Sequence, residues 1–170
     1  IPLSVVLLDK DWHIRELNGK TYETGFTWNN SLFANPKKMI EYLHKKGVRL
    51  GLNVDPLEGI LPYEERFNTL TNYLDKNENG VIPFNVFNPK TIDAYLKILI
   101  HPLDEQEVDF YWINYEEKQK LNELFLLDHY HFNDMKRDYK RRPMVLTRNH
   151  LMAPHRYPVL YGGSSEISWE

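Results

Sequence analysis

The chain has 170 residues, 42% of them hydrophobic, and a formal net charge of −3. That size can bury a sizeable core and suits one domain, while the charge leaves no clustered basic face for a nucleic acid. The absence of cysteine excludes disulfides and thiolate chemistry but leaves the compartment open, and no apolar run approaches the roughly 18 residues of a membrane span.

The first apolar run, Leu3 to Leu8, stops at Asp9 and Asp11. A long loop from Trp12 to Trp28 follows, rich in Gly, Asn and Thr; loops of this length inside compact domains are usually functional. Asn35-Pro36 reads as an N-cap with proline at the first helical position. The helix it starts runs to about Lys46, with Met39, Ile40 and Leu43 on one face and Gly47 as its end. A second strand, Val48 to Val54, runs into Asp55, and Pro56 to Gly59 forms a turn. Tyr63 to about Leu74 is predicted helical. Asn88-Pro89 repeats the start signal, Ile92, Tyr95, Leu96 and Leu99 form an apolar stripe, and His101-Pro102 is expected to end that helix. The third strand, Val108 to Ile113, runs into Asn114. A helix is predicted from about Leu121 to Arg141. The last strands are Met144 to Thr147, ending at Arg148, and Tyr157 to Tyr161, ending at Gly163 and Ser164; Pro154 argues against a full helix between them.

Near-continuous apolar strands separated by helix-sized intervals predict a parallel α/β sheet. A complete (β/α)8 TIM barrel takes about 250 residues. The expectation is therefore a partial barrel, with residues 1–170 a segment of a longer chain; a small self-contained open sheet is the alternative. In a barrel, polar groups at the carboxyl ends of several strands converge on one pocket. Asp9, Asp11 and Asp55, with Arg148, would form such a pocket. Trp12, Trp28, Tyr111, Trp112 and Tyr115 lie beside them in the sequence. Carboxylates among aromatic faces suit sugar rings, which offer hydroxyls at the edge and C–H groups on the face, although the same aromatics would serve as core.

Three other features read as structural. Asp75, Asn77, Asn79 and Gly80 have the spacing of the first half of a calcium loop, but Val86 stands where the bidentate Glu is needed, so a polar turn is expected. His129 and His131 are two apart and cannot converge on one helix face, so one is expected near the core and one elsewhere. Lys136-Arg137 and Lys140-Arg141-Arg142 complement a helix end. No metal or cofactor is expected.

Several stretches resemble glycoside hydrolase family 31, closest to its α-glucosidase-like branch. They are Leu8-Asp9-Lys10-Asp11-Trp12-His13, Thr24-Gly25-Phe26-Thr27-Trp28-Asn29, Leu32-Phe33 with Pro36, and Leu43-His44-Lys45-Lys46-Gly47 with Leu52-Asn53-Val54-Asp55-Pro56. Asp109-Phe110-Tyr111-Trp112-Ile113, Asp128-His129-Tyr130-His131-Phe132, and Arg142 to Arg148 through His155-Arg156-Tyr157-Pro158-Val159 to Ser168-Trp169 complete the series. The resemblance implies a retaining α-glycosidase or transglycosylase on a TIM barrel, of which this chain would hold about strands three to seven. The other strands and the flanking β domains would belong to a longer chain. It implies that Asp9, Asp55 and Arg148 line the reactive sugar subsite of an α-linked glycoside and that Trp112 walls it.

The departures matter more than the matches. The resemblance puts the nucleophile at position 114 and the acid/base at 164, where this chain has Asn114 and Ser164. Retaining hydrolysis needs two carboxyl groups about 5–5.5 Å apart. A carboxamide cannot form the glycosyl ester, and a hydroxyl is a poor acid for the leaving oxygen. Losing acid/base help alone costs about 10²–10⁴-fold. Glu116, Glu117 and Glu166 are nearby carboxylates, but Glu116 would stand nearly 7 Å along an extended strand from Asn114. The expectation is a glycan-binding, hydrolytically impaired domain. An active α-glycosidase or transglycosylase altered at those two positions, or a barrel fragment without a site, are the alternatives.

Overall fold

The computed structural model describes residues 2–56, 58–76, 80–114, 121–137, 142–147, 156 and 159–161. The five apolar runs form the strands β1 (Val5–Leu8), β4 (Arg49–Val54), β5 (Phe110–Ile113), β6 (Val145–Thr147) and β7 (Val159–Leu160); a small hairpin, β2 (Glu16–Leu17) and β3 (Lys20–Thr21), lies inside the first long loop. The five pair in chain order, β1-β4-β5-β6-β7, every pair parallel. Parallel neighbours need long crossovers, and helical segments between β1 and β6 supply them.

Pairing register divides the sheet into two faces. Leu52, Tyr111 and Val145 are level across three strands, as are Val54, Ile113 and Thr147 one turn of the pleat further on. These side chains are buried beneath the helices: the Tyr111 hydroxyl reaches Asp104 and Thr147 reaches Asp128, both helical residues. The opposite face carries Leu7, Gly51 and Phe110 on one rung and Asn53, Trp112 and Leu146 on the next. Side chains stacked in rungs on the inward face are how a TIM barrel fills its interior.

The helices begin where their caps require. In α1 (Pro36–Lys45) the Asn35 side chain accepts the Lys38 N–H at 3.0 Å, and Gly47 turns the chain at φ +74°. Helix α2 (Phe67–Leu74) starts later than Tyr63. The intervening turn is held by the first loop instead: the Tyr63 hydroxyl donates to the Thr24 carbonyl at 2.7 Å, and buried Glu64 accepts from Thr27 Oγ1 at 2.6 Å and from the Phe26 N–H. Asn88 caps α3 (Pro89–Ala94) through the Lys90 and Thr91 N–H groups.

The His101-Pro102 stop fails. From α3 the chain continues through wide π-helical turns, Tyr95–Ile100, directly into α4 (His101–Glu105). Proline removes an interior helical donor, and here it falls where the hydrogen-bond ladder changes spacing, so the chain passes it without ending the helix. Helix α5 (Leu121–Asp134) ends before Arg141. Near its end Arg137 bonds Asp134 at 2.7 Å and Asp104 at 2.6 Å, and Lys136 lies over the Phe132 ring. Arg142 is exposed, and Lys140 and Arg141 lie outside the described residues.

At the amino end of the sheet, Asp109 ties three elements together. Its carboxylate accepts from the Leu50 N–H at 2.8 Å, from Arg49 at 3.0 Å, and meets His44 Nε2 of α1 at 2.7 Å.

Candidate functional site

At the carboxyl end of the sheet the inward face turns polar. The last paired residues of β1 and β4 are Leu8 and Leu52, so Asp9 and Asn53 are the next positions on neighbouring strands. The Asn53 amide donates to the Asp9 carboxylate. Asn53 is level with Trp112 of β5, whose ring lies 5.1 Å from that of Tyr161, just past β7. Asp9, Asn53 and Trp112 therefore make one rung across three adjacent strands. The ladder extends one step more, with the Asn114 N–H donating to the Val54 carbonyl at 3.1 Å, which brings Asp55 and Asn114 level at the strand ends.

Burial separates these residues. Asp9 is exposed, whereas Asp55 is 4% and Asn114 1% accessible. The Asn114 carbonyl oxygen is fully buried with no hydrogen-bond partner among the described residues. A buried amide oxygen without a donor is unfavourable by about 1–3 kcal/mol. Burial first, with the Asp55 and Asp134 charges added, holds the Tyr95 hydroxyl well above its ordinary range, so it stays protonated.

Of the residues expected at the site, Asp9, Asp55, Trp112 and Asn114 gather at the carboxyl ends of β1, β4 and β5. Arg148 and Ser164 lie outside the described residues, as do Tyr115, Glu116, Glu117 and Glu166. Asp11 turns away, bonded to Arg15 at 2.6 Å on the surface. Trp12 and Trp28 are core residues instead of pocket walls: their rings pack edge to face at 5.0 Å, and Trp28 Nε1 donates to Gln106 at 2.8 Å. Tyr111 faces the helices, donating to Asp104 at 2.8 Å. The aromatic loop thus buries its rings because each indole N–H finds an acceptor inside.

The remaining histidine and acid motifs are structural. His131 is buried against Tyr95, its Nε2 2.8 Å from the hydroxyl, and desolvation lowers its pKa to about 3; His129 is exposed and lies beside Phe125. Asp128 bonds Thr147 Oγ1 at 2.6 Å, and burial raises its pKa to about 7 despite that bond. Desolvation likewise raises Glu64 to about 7. Asp75 ends α2 in the left-handed region and pairs with Lys90 at 2.6 Å; residues 77–79 lie outside the described residues. Among the described residues no group of three or more His, Cys, Asp or Glu could hold a metal, and no helix is long and apolar enough to cross a membrane.

One residue escaped the strand-end pattern: Asn53 sits within the rung, and its carbonyl accepts the indole N–H of the core residue Trp12 at 2.7 Å. The signal for Asn53 was a single polar residue at an inward position of an otherwise apolar strand.

Residues 1–170 match the model of the glycosyl hydrolases family 31 TIM-barrel domain over their whole length. The chain belongs to glycosyl hydrolase family 31. Solved structures of family 31 share the fold. A sulfoquinovosidase from E. rectale superposes with a TM-score of 0.69 at 13% identity, over 95% of this chain and 29% of that one. A dextranase from Flavobacterium johnsoniae, complexed with glucose, gives 0.63 at 16% identity, over 97% and 24%. An α-glucosidase from Bacteroides thetaiotaomicron gives 0.56 at 22% identity, over 87% and 28%. The chain thus spans about a quarter to a third of these family 31 structures, as a partial barrel. Comparison with curated proteins finds no match.

Proposed function

We propose that this family 31 segment binds an α-linked glycoside and hydrolyses it poorly or not at all. One observation carries the reading: Asp9, Asp55 and Trp112 gather at the strand ends, while the residue level with Asp55 is a buried carboxamide, Asn114, instead of a carboxylate. Carboxylates at a pocket rim accept sugar hydroxyls, and an indole face packs on the C–H face of a pyranose. Asp9 and Asp55 would grip the sugar in the reactive subsite, Trp112 would wall it, and Arg148 would close the subsite, as the family resemblance implies.

The same geometry supports impaired catalysis. Asn114 carries no negative charge to attack the anomeric carbon or to stabilise an oxocarbenium-like transition state. Ser164, at the acid/base position by resemblance, would protonate the leaving oxygen poorly. The buried Asn114 oxygen would instead accept a hydroxyl of the bound sugar. The rest of the barrel and its β domains would come from a longer chain, of which residues 1–170 form a barrel segment.

The test is the double substitution Asn114→Asp with Ser164→Asp in the full-length chain, assayed on aryl α-glycosides. Hydrolysis is expected to rise at least about 10²–10⁴-fold, the share of acid/base catalysis alone. A folded double variant that stays silent on α-glucosides, α-xylosides, α-galactosides and N-acetyl-α-galactosaminides would remove the impaired-enzyme reading. Calorimetry of the unaltered protein with the same sugars tests binding, and no heat with any of them would favour a barrel piece without a site.

A further inference from the structure

Asn53 is a polar side chain, 2% accessible, inside a strand whose other residues after Arg49 are Leu50, Gly51, Leu52 and Val54. Burying an amide in such a setting is unfavourable by a few kcal/mol unless its groups are bonded. Its amide donates to Asp9, a hydrogen bond made stronger by the carboxylate charge. Its backbone is used as well. The β1–β4 ladder ends at Leu8 and Leu52, and the Asn53 carbonyl accepts the Trp12 indole N–H at 2.7 Å in place of a strand donor.

Asp9 and Trp12 are the two ends of one short turn. Asp9 precedes a single 3₁₀ turn, Lys10–Trp12, and its carbonyl accepts the Trp12 N–H at 3.2 Å. The Asp9 side chain makes no capping bond to that turn. Asn53 therefore clamps the turn from outside, with its side chain on the first residue and its carbonyl on the last. Of the cations of this loop, Lys10 pairs with Glu23, Arg15 pairs with Asp11 and Glu23, and Lys20 lies over the Tyr22 ring.

We infer that Asn53 is a positioning residue, which fixes the direction of the exposed Asp9 carboxylate so that its free edge meets a ligand hydroxyl. The ligand part of this inference rests on the glycan-binding reading above; the orientation of Asp9 does not. A carboxylate that is already oriented forfeits less rotamer freedom on binding. The residue acts wholly through Asp9, and this separates it from a merely structural one.

Two substitutions in the full-length chain test it. Asn53→Ala removes the amide, and Asn53→Leu keeps the volume with neither donor nor charge, so agreement between them separates a lost hydrogen bond from a packing hole. Crystal structures should show the Asp9 carboxylate leaving its original orientation in both variants. Calorimetry with methyl α-D-glucoside should show binding weakened about tenfold by Asn53→Ala, weakened more by Asp9→Ala, and weakened no further when Asn53→Ala is added to Asp9→Ala, because Asn53 acts through Asp9. An Asp9 carboxylate that keeps its place in both variants, or losses that simply add, overturns the inference. If the unaltered protein gives no heat while Asp9 still swings away in the variants, the positioning role stands and the glycan-binding reading falls.

Discussion

The two faces of the sheet use polar side chains in opposite ways. On the helix face, most polar groups answer one another in the interior, although one buried Asp128 oxygen has no partner among the described residues. Tyr111 donates to Asp104, Asp104 and Asp134 share Arg137, and Asp134 meets His101 at 2.9 Å. On the inward face, at the carboxyl end, Asp9 stands exposed and the Asn114 oxygen is buried with no partner among the described residues. The first arrangement is what a fold needs, and an exposed carboxylate such as Asp9 is what the proposed glycan site would use.

The contrast is sharpest for Arg137. Arg137→Ala should leave the Asp104 carboxylate, only 3% accessible, short of its cation. The expected loss is about 3 kcal/mol of stability in urea unfolding. Binding of a small α-glycoside by the folded protein should be unchanged. If stability holds and binding falls, the division between the faces is wrong.

A second test uses pH. Burial raises Asp128 from 3.8 to about 7, so between those values the native chain keeps a proton that the unfolded chain has released. Stability contributed by this group is therefore lost as pH rises from about 4 to 7, at up to about 1.4 kcal/mol per pH unit. Asp128→Asn should gain on the original protein steadily across that window and hold its advantage above pH 7, read from melting temperatures. Glu64, also raised to about 7, acts in the same direction in both proteins. His131 opposes them: lowered from 6.5 to about 3, it must stay neutral in the fold and weakens it as pH falls through that range. A difference between Asp128→Asn and the original that ignores pH would place the Asp128 carboxylate in contact with water.

The smallest effect on stability is expected at the rim. Asp9→Ala touches an exposed side chain, and the Asn53 amide it leaves behind limits the loss to about 1 kcal/mol. Sugar binding read by calorimetry should nevertheless weaken by more than it does in Asn53→Ala. A large loss of stability with binding intact would make Asp9 a structural residue like those on the other face.

Much of this was readable in advance, for physical reasons. Strands buried on both faces must be apolar nearly throughout, so the five runs announced the sheet, and chain order gave its pairing. Asn35-Pro36 and Asn88-Pro89 start helices because the amide side chain and the proline ring solve the same end problem. The strand-end residues Asp9, Asp55 and Asn114 were legible as the points where apolar runs stop. Asn53 was not, since it lies within the run and only pairing register shows which way it faces. For Trp12 and Trp28 pocket wall and core both stayed open, because nearness to acids in sequence does not say which side of the backbone an indole takes. Pro102 misled because its usual effect presumes a ladder of regular spacing. The roles given to Arg148 and Ser164 rest on the family resemblance alone, since both lie outside the described residues.

Gly51 and Phe110 sit one rung beneath Asn53 and Trp112, level with each other. A methyl group on Gly51 would come within 2.3 Å of the Phe110 ring. The benzyl group lies in the gap the glycine leaves, and together they form the floor under the polar rung. Exchanging bulk between the two, as in Gly51→Ala with Phe110→Leu, would reshape that floor without touching a polar residue.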